Sequence, residues 1–251
     1  MARVEDFFIA SNSVENITED EYKDVDVLIK AAEAISRATY QSVYIIDYFK
    51  QCFLYVSENP LFLCGHTAEE VKELGYNFYI KNVPEEEQKM LVEINRSGFK
   101  FFDTIQETDR HKCFMTYDFH IINNNRQILI NHKLTPILLN KSGKIWIAMC
   151  VVSISSHKSP GHIQFNLHDD NKYWKFSLVS HKWKEEKRIV LKPEEKEVLL
   201  LSSKGCTMDE IAEKINKSVD TVKFYKKKIF EEMGVKNITE ALSFATIYKL
   251  L

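Results

Sequence analysis

Read as a helix at about 100° per residue, the stretch from Val219 to Met233 sets Asp220, Thr221, Lys223, Phe224, Lys227 and Lys228 on one side. Val222, Ile229 and Met233 fall on the other, flanked by Val219 and Tyr225. The chemistry of the first set is recognition, not turnover. Lysine ammoniums neutralise phosphates and can donate to guanine, Thr221 can donate or accept, and Phe224 can meet a thymine methyl. Lys226 sits at the edge of the apolar stripe, so its stem is expected to pack and its head to snorkel. On an isolated helix such a lysine face is ordinarily solvated surface, so its meaning depends on the elements that hold it.

Those elements carry their own start and stop signals. Thr207 and Glu210 stand in capping-box spacing before a short helix, and Ser218 caps the next. Two short helices joined this closely form a helix-turn-helix, the geometry that carries a helix into the major groove. The expected DNA-contacting set is therefore Thr207, Ser218, Asp220, Thr221, Lys223, Phe224, Lys227 and Lys228. Upstream, Pro193 suits the first turn of a preceding helix that closes near Gly205. Downstream, Gly234 ends the lysine-bearing helix, and Asn237 and Glu240 open a fourth.

With these signals in place, Leu191, Glu195, Glu197-Val198-Leu199, Gly205, Glu210-Ile211-Ala212, Thr221-Val222-Lys223, Ile229, Gly234-Val235 and Glu240-Ala241 resemble the four-helix LuxR/GerE DNA-binding domain, over residues 189–251. Tyr225, Lys228, Met233 and Asp209 depart from the usual pattern of that family; Asp209 counts against one phosphate contact, and Lys228 offers that charge from another angle. The resemblance implies a dimer contact on the last helix. Ala241, Phe244, Ala245 and Tyr248 are expected to form it, because that helix carries more apolar surface than so small a domain should bury. Lys192 to Leu251 holds eleven lysines, no arginine and ten acids, while the whole chain carries a formal charge of -2. Nonspecific polyanion binding is therefore not its design, and affinity should depend on a dimer.

At 251 residues the chain has room for a second domain. Thr18 to Tyr40 reads as one helix, so residues 1–41 form an N-terminal helical segment and a second candidate dimer seam. Residues 42–156 then read as strand, strand, short helices, a longer helix after Pro84, and three strands at about 115–122, 127–139 and 144–154. The segment from Asn59-Pro60 through Gly65-His66-Thr67 resembles the stretch after the second strand of a PAS domain, and the element order matches. Residues 157–188 read as an extra hairpin, with a turn at 168–171, and a basic hinge at Lys182 to Arg188. The expected fold is an α+β PAS-like sensor domain, an antiparallel sheet with helices, followed by an all-α four-helix helix-turn-helix domain.

A PAS fold implies an apolar cavity. Tyr44, Ile46, Phe53, Tyr55, Met90, Ile94, Phe119, Ile121, Trp146 and Met149 are expected to line it; the rival expectation is a core filled by its own aromatics. Other constellations are weaker. The five cysteines show no metal or redox spacing, and Cys64 reads as a buried structural thiol. His157, His162 and His168 could approach a metal together, although loop histidines are usually just exposed. His120 and His132 read as satisfied sheet histidines rather than haem ligands. No apolar run is long enough for a membrane helix, and no signal-peptide flanks appear.

The sequence thus favours a cytoplasmic, non-enzymatic, DNA-binding transcriptional regulator with no evident cofactor. Its expected partners are double-stranded DNA, a second copy of the chain, RNA polymerase as a candidate, and a small ligand of the PAS-like domain; a membrane is not among them. The competing reading is a PAS ligand- or partner-binding protein whose helix-turn-helix docks protein.

Overall fold

The computed structural model describes residues 2–168, 172–248 and 250–251, in two compact units, Met1–Glu186 and Lys187–Leu251. In the first unit a 3-10 turn at Glu19–Asp24 leads into α1 (Val25–Thr39). The expected single helix is thus tightened at its start, where Glu21 Oε2 accepts from both the amide and the hydroxyl of Thr18.

There follow β1 (Ser42–Asp47), β2 (Cys52–Val56), α2 (Pro60–Leu63), α3 (Ala68–Leu74), α4 (Asn77–Asn82) and α5 (Glu85–Asp103). Then come β3 (Cys113–Asn123), β4 (Arg126–Leu139) and β5 (Ile145–Ile154), which complete the PAS element order. Asn124 and Asn125 take positive φ in the β3–β4 turn, a conformation asparagine tolerates better than most residues. Pro136, which has no amide to donate, sits where the β4–β5 register shifts.

The sheet does not stop at residue 156. β6 (Gly161–Leu167), β7 (Lys172–Ser177) and β8 (Lys182–Lys187) continue it, in the order β2-β1-β5-β4-β3-β6-β7-β8. β6 pairs antiparallel with the free edge of β3, and β7 pairs with β6 as the expected hairpin. From Asp169 to Asn171 the expected turn lies outside the described residues. The basic run expected as a hinge is instead the edge strand β8. Trp183 explains the difference: its ring packs 4.8 Å from Phe101 and 5.0 Å from Phe176, while its neighbouring lysines face outward.

The second unit is α6 (Pro193–Ser203), α7 (Met208–Lys214), α8 (Val219–Met233) and α9 (Ile238–Ile247). Val198, Ile211, Ala212 and Val222 form one buried cluster, and Leu191, Leu199, Ile229, Met233, Ala241, Ala245 and Leu250 another. Among the described residues no helix is long and apolar enough to cross a membrane.

Candidate nucleic-acid interface

The turn between α7 and α8 is built by its caps. Thr207 Oγ1 accepts from the Glu210 amide at 3.3 Å while Glu210 Oε2 takes the Thr207 amide at 2.7 Å, closing the capping box. Asn216 turns the chain in the left-handed region, and Ser218 Oγ accepts from the Thr221 amide at 3.2 Å. Thr207, Ser218 and Thr221 are thus placed at the two helix starts. The hydroxyls of Ser218 and Thr221 lie 2.9 Å apart and share a hydrogen bond.

With Val222, Ile229 and Met233 buried, α8 can present only its opposite side. Asp220, Lys223, Phe224 and Lys227 are exposed there, and Phe224 keeps 62 % of its surface open although it is a large aromatic. Lys223 Nζ rests 3.1 Å from Asp220, and Lys227 lies 3.7 Å from Glu231. Both are surface pairs on long side chains, so either lysine can turn to a phosphate at little cost. Lys226 is half-buried, as its place at the stripe's edge predicts.

Lys228 is different. Expected among the outward lysines, it turns inward and lies 2.6 Å from Oε1 of Glu195 on α6, with Glu232 at 3.4 Å. The other Glu195 oxygen accepts from the Lys192 amide at 2.8 Å. A buried carboxylate needs a cation, and the nearest position on the facing helix is 228. Lys236 was missed by sequence reasoning. With Lys223, Lys226 and Lys227 it rims an open concavity beside α8 whose lining includes Phe230 and Met208. Its signal was its place in the loop between Gly234 and the cap Asn237, on the same side as the lysines of α8.

The residues expected to form a dimer contact on α9 differ in exposure. Ala241 and Ala245 are fully buried in the unit's own core, and the Phe244 and Tyr248 rings, 4.4 Å apart, pack against it. Small alanines let α9 approach its neighbours closely, while Leu242, Phe244 and Tyr248 stay partly exposed.

The residues expected to line a pocket lie in the core of the first unit. Tyr44, Ile46, Phe53, Ile94, Phe119, Ile121 and Trp146 are buried, and Tyr55, Met90 and Met149 partly so, all in one hydrophobic cluster. Tyr44 stacks on Phe62 with centroids 4.5 Å apart and planes 6° from parallel, and Phe53, Tyr76, Phe78 and Tyr79 fill the space around them. The Tyr44 hydroxyl hydrogen-bonds both the Tyr79 hydroxyl and His132 Nε2. Burial holds His132 down to about 3, and its Nδ1 has no partner among the described residues. A small apolar void of about 10 Å³ lies elsewhere, among Gly98, Phe102, Met115 and Leu134; it is about the size of one water. His120 is tied at both its amide and its Nδ1 to Glu87, and burial pushes the Cys64 thiol up to about 12, so both side chains read as structural.

Residues 190–245 match the profile of GerE, bacterial regulatory proteins, luxR family. No curated protein is significantly similar in sequence. Among solved structures, a Vibrio cholerae VqmA dimer in the absence of target DNA is similar at 15 % identity, covering 94 % of this chain and 89 % of that one, with a TM-score of 0.33. A Vibrio cholerae VqmA-ligand-DNA complex is similar at 15 % identity over 92 % and 88 %, with a TM-score of 0.31. The N-terminal domain of a Marinobacter aquaeolei diguanylate cyclase with a PAS/PAC sensor is similar at 13 % identity over 45 % and 94 %, with a TM-score of 0.34. Scores this low leave the assignment to the sequence match and to the helices themselves. Both lead to one conclusion: residues 190–245 form a GerE-type helix-turn-helix domain of the kind found in the luxR family of bacterial regulatory proteins, and the N-terminal unit has the element order of a PAS domain.

Proposed function

We propose that this chain is a sequence-specific transcriptional regulator that reads the major groove with the outer face of α8, as a dimer. The observation that carries this reading is the pairing of a fully buried apolar stripe on α8 with exposed Lys223, Phe224 and Lys227 opposite it. Lys223 and Phe224 supply base contacts, Lys227 and Lys236 phosphate contacts, and the capped starts at Thr207 and Ser218 aim backbone amides at the DNA backbone. The net charge of the segment is small, so two copies are needed for useful affinity. The packed aromatic interior supports assembly, rather than enclosure of a small ligand, as the role of the N-terminal unit. For the seam between copies, α1 replaces α9, because Val27 and Ile35 are 63 % and 49 % exposed on it. Such a regulator works in the cytoplasm, beside DNA and RNA polymerase.

The exposure of Phe224 also suits a protein partner, and one experiment separates the readings. The purified full-length chain is offered a randomised duplex pool at low and at physiological salt. Enrichment of a defined duplex, weakened by salt, supports DNA reading. Failure to enrich any duplex at either salt leaves α8 as a protein-docking face.

A further inference from the structure

Away from both regions described above, the first unit gathers three side chains of metal-ligating type. Asp118, in the middle of β3, is fully buried. His157 lies in the connection from β5 to β6, and His162 is the second residue of β6; both are partly buried. Candidate donor atoms of the three lie within 4.8 Å of one another, and His168 is not part of the group. The two imidazoles are stacked, with centroids 3.7 Å apart and planes 2° from parallel.

We propose that Asp118, His157 and His162 bind a divalent transition-metal ion of borderline softness, of the zinc and cobalt class. Two imidazole nitrogens and one carboxylate oxygen form a donor set that suits such an ion, with a further position left for water.

The carboxylate is already held in place. One Asp118 oxygen accepts from Asn131 Nδ2 at 2.7 Å, and the other accepts from Ser155 Oγ at 3.0 Å and faces His157 Nδ1 at 2.5 Å. Outer partners of this kind orient a ligating carboxylate. The charge pattern points the same way. A buried carboxylate calls for positive charge beside it, from a paired group or a coordinated metal. A dication held among the three side chains supplies that charge to Asp118.

Topology gives the ion a role. Asp118 belongs to the sheet's inner part, whereas His157 and His162 flank the bend, through Gly161 at φ 100° and His162 at φ 47°, that brings β6 onto the edge of β3. The ion would fasten the added strands to the PAS-like sheet.

The test uses the full-length chain, stripped with a chelator and titrated with Co²⁺, then with Zn²⁺. One equivalent of Co²⁺ should give visible d–d absorption without a thiolate charge-transfer band, Zn²⁺ should displace it, and Tm should rise. His162→Asn keeps a residue that tolerates the left-handed backbone, and should lower affinity by at least about tenfold. His181→Ala, at an exposed histidine beside Glu93, should leave affinity unchanged. Should His162→Asn fail to fold by circular dichroism, His157→Gln supplies the same comparison. The proposal is overturned by absence of a cobalt spectrum, by a thiolate-type spectrum, or by undiminished binding in the histidine variant, which would leave a hydrogen-bonded histidine–carboxylate pair only.

Discussion

Lys228 Nζ and Glu195 Oε1 meet at 2.6 Å, and the Glu195 side chain is 1 % exposed, so α8 is bonded to α6 through its own lysine row. Burial raises the Glu195 carboxyl, but the Lys228 ammonium and the Lys192 amide outweigh it and hold the group below its ordinary value. A lysine that stands with the exposed lysines of α8 in sequence therefore belongs to the frame of the domain.

Lys228→Ala should consequently destabilise the C-terminal unit more than Lys227→Ala, because it strands a buried carboxylate. It should leave the salt dependence of DNA binding nearly unchanged. Because the folded-state pKa of Glu195 is depressed, its stabilising effect is present above about 4.5 and fades as pH falls through the lower folded value. Urea unfolding of the parent and of Glu195→Gln from pH 7 to 3 checks this; identical acid slopes would refute the assigned role.

Why position 228 misleads, while position 222 does not, is a matter of what the helix period encodes. Val222, Ile229 and Met233 are driven inward by hydrophobicity alone, so their face is legible at 3.6 residues per turn. Whether a lysine at the border of that face turns out or in depends on a carboxylate thirty-three positions earlier, which no local pattern carries. Caps were legible for the converse reason: Thr207 with Glu210, and Asn237 with Glu240, interact within one turn. The three added strands were only half visible. Ile163, Phe165, Trp174 and Phe176 alternate openly, but the strand character of 182–187 rests on one tryptophan finding Phe101 across the fold. The burial of Ala241 and Ala245 in their own unit was not legible, because apolar content does not say which side of a helix has a partner. Asp118, His157 and His162 are linked only by the pairing of β6 with β3.

At the interface itself, Lys223→Ala should cost about 1–3 kcal/mol of discrimination at one base position, the worth of a good base contact. Lys217→Ala, just before the cap of α8, should cost less. Lys227→Ala should weaken all duplexes alike and flatten the log–log salt slope by about two units in a dimer, one per copy. Fluorescence anisotropy across a salt series measures both, and equal losses at 217 and 223 would argue against this docking.

In the N-terminal unit, Tyr44→Phe removes the hydroxyl shared with Tyr79 and His132, and should cost about 1–3 kcal/mol because the groups left behind are buried. His132, held down to about 3 from an unfolded value of 6.5, contributes its stability above pH 6.5. As pH falls from 6.5 towards 3, the unfolded chain takes up a proton that the folded chain refuses. Stability should then drop by up to about 1.4 kcal/mol per pH unit. The pH slope should be shallower in His132→Gln; an unchanged slope would mean that this histidine is solvated.

Dimerisation should follow α1. Val27→Glu with Ile35→Glu puts two acids on its exposed face and should yield monomers in sedimentation velocity. Substituting Thr246, exposed on α9, with glutamate should not. Point variants are preferable to removing residues 1–40, since Phe7 is buried against Tyr76 and Tyr79 and its loss would open the core.

The central claim is that the outer face of α8 lies against DNA, and photocrosslinking tests it most directly. A benzophenone side chain is placed at Phe224 of the full-length chain, and in a second preparation at Leu200, which is 46 % exposed on α6. Irradiated with the duplex selected by the parent protein, position 224 should crosslink to DNA and position 200 should not. Crosslinking from 200 without 224, or from neither while the duplex remains bound, would contradict the account.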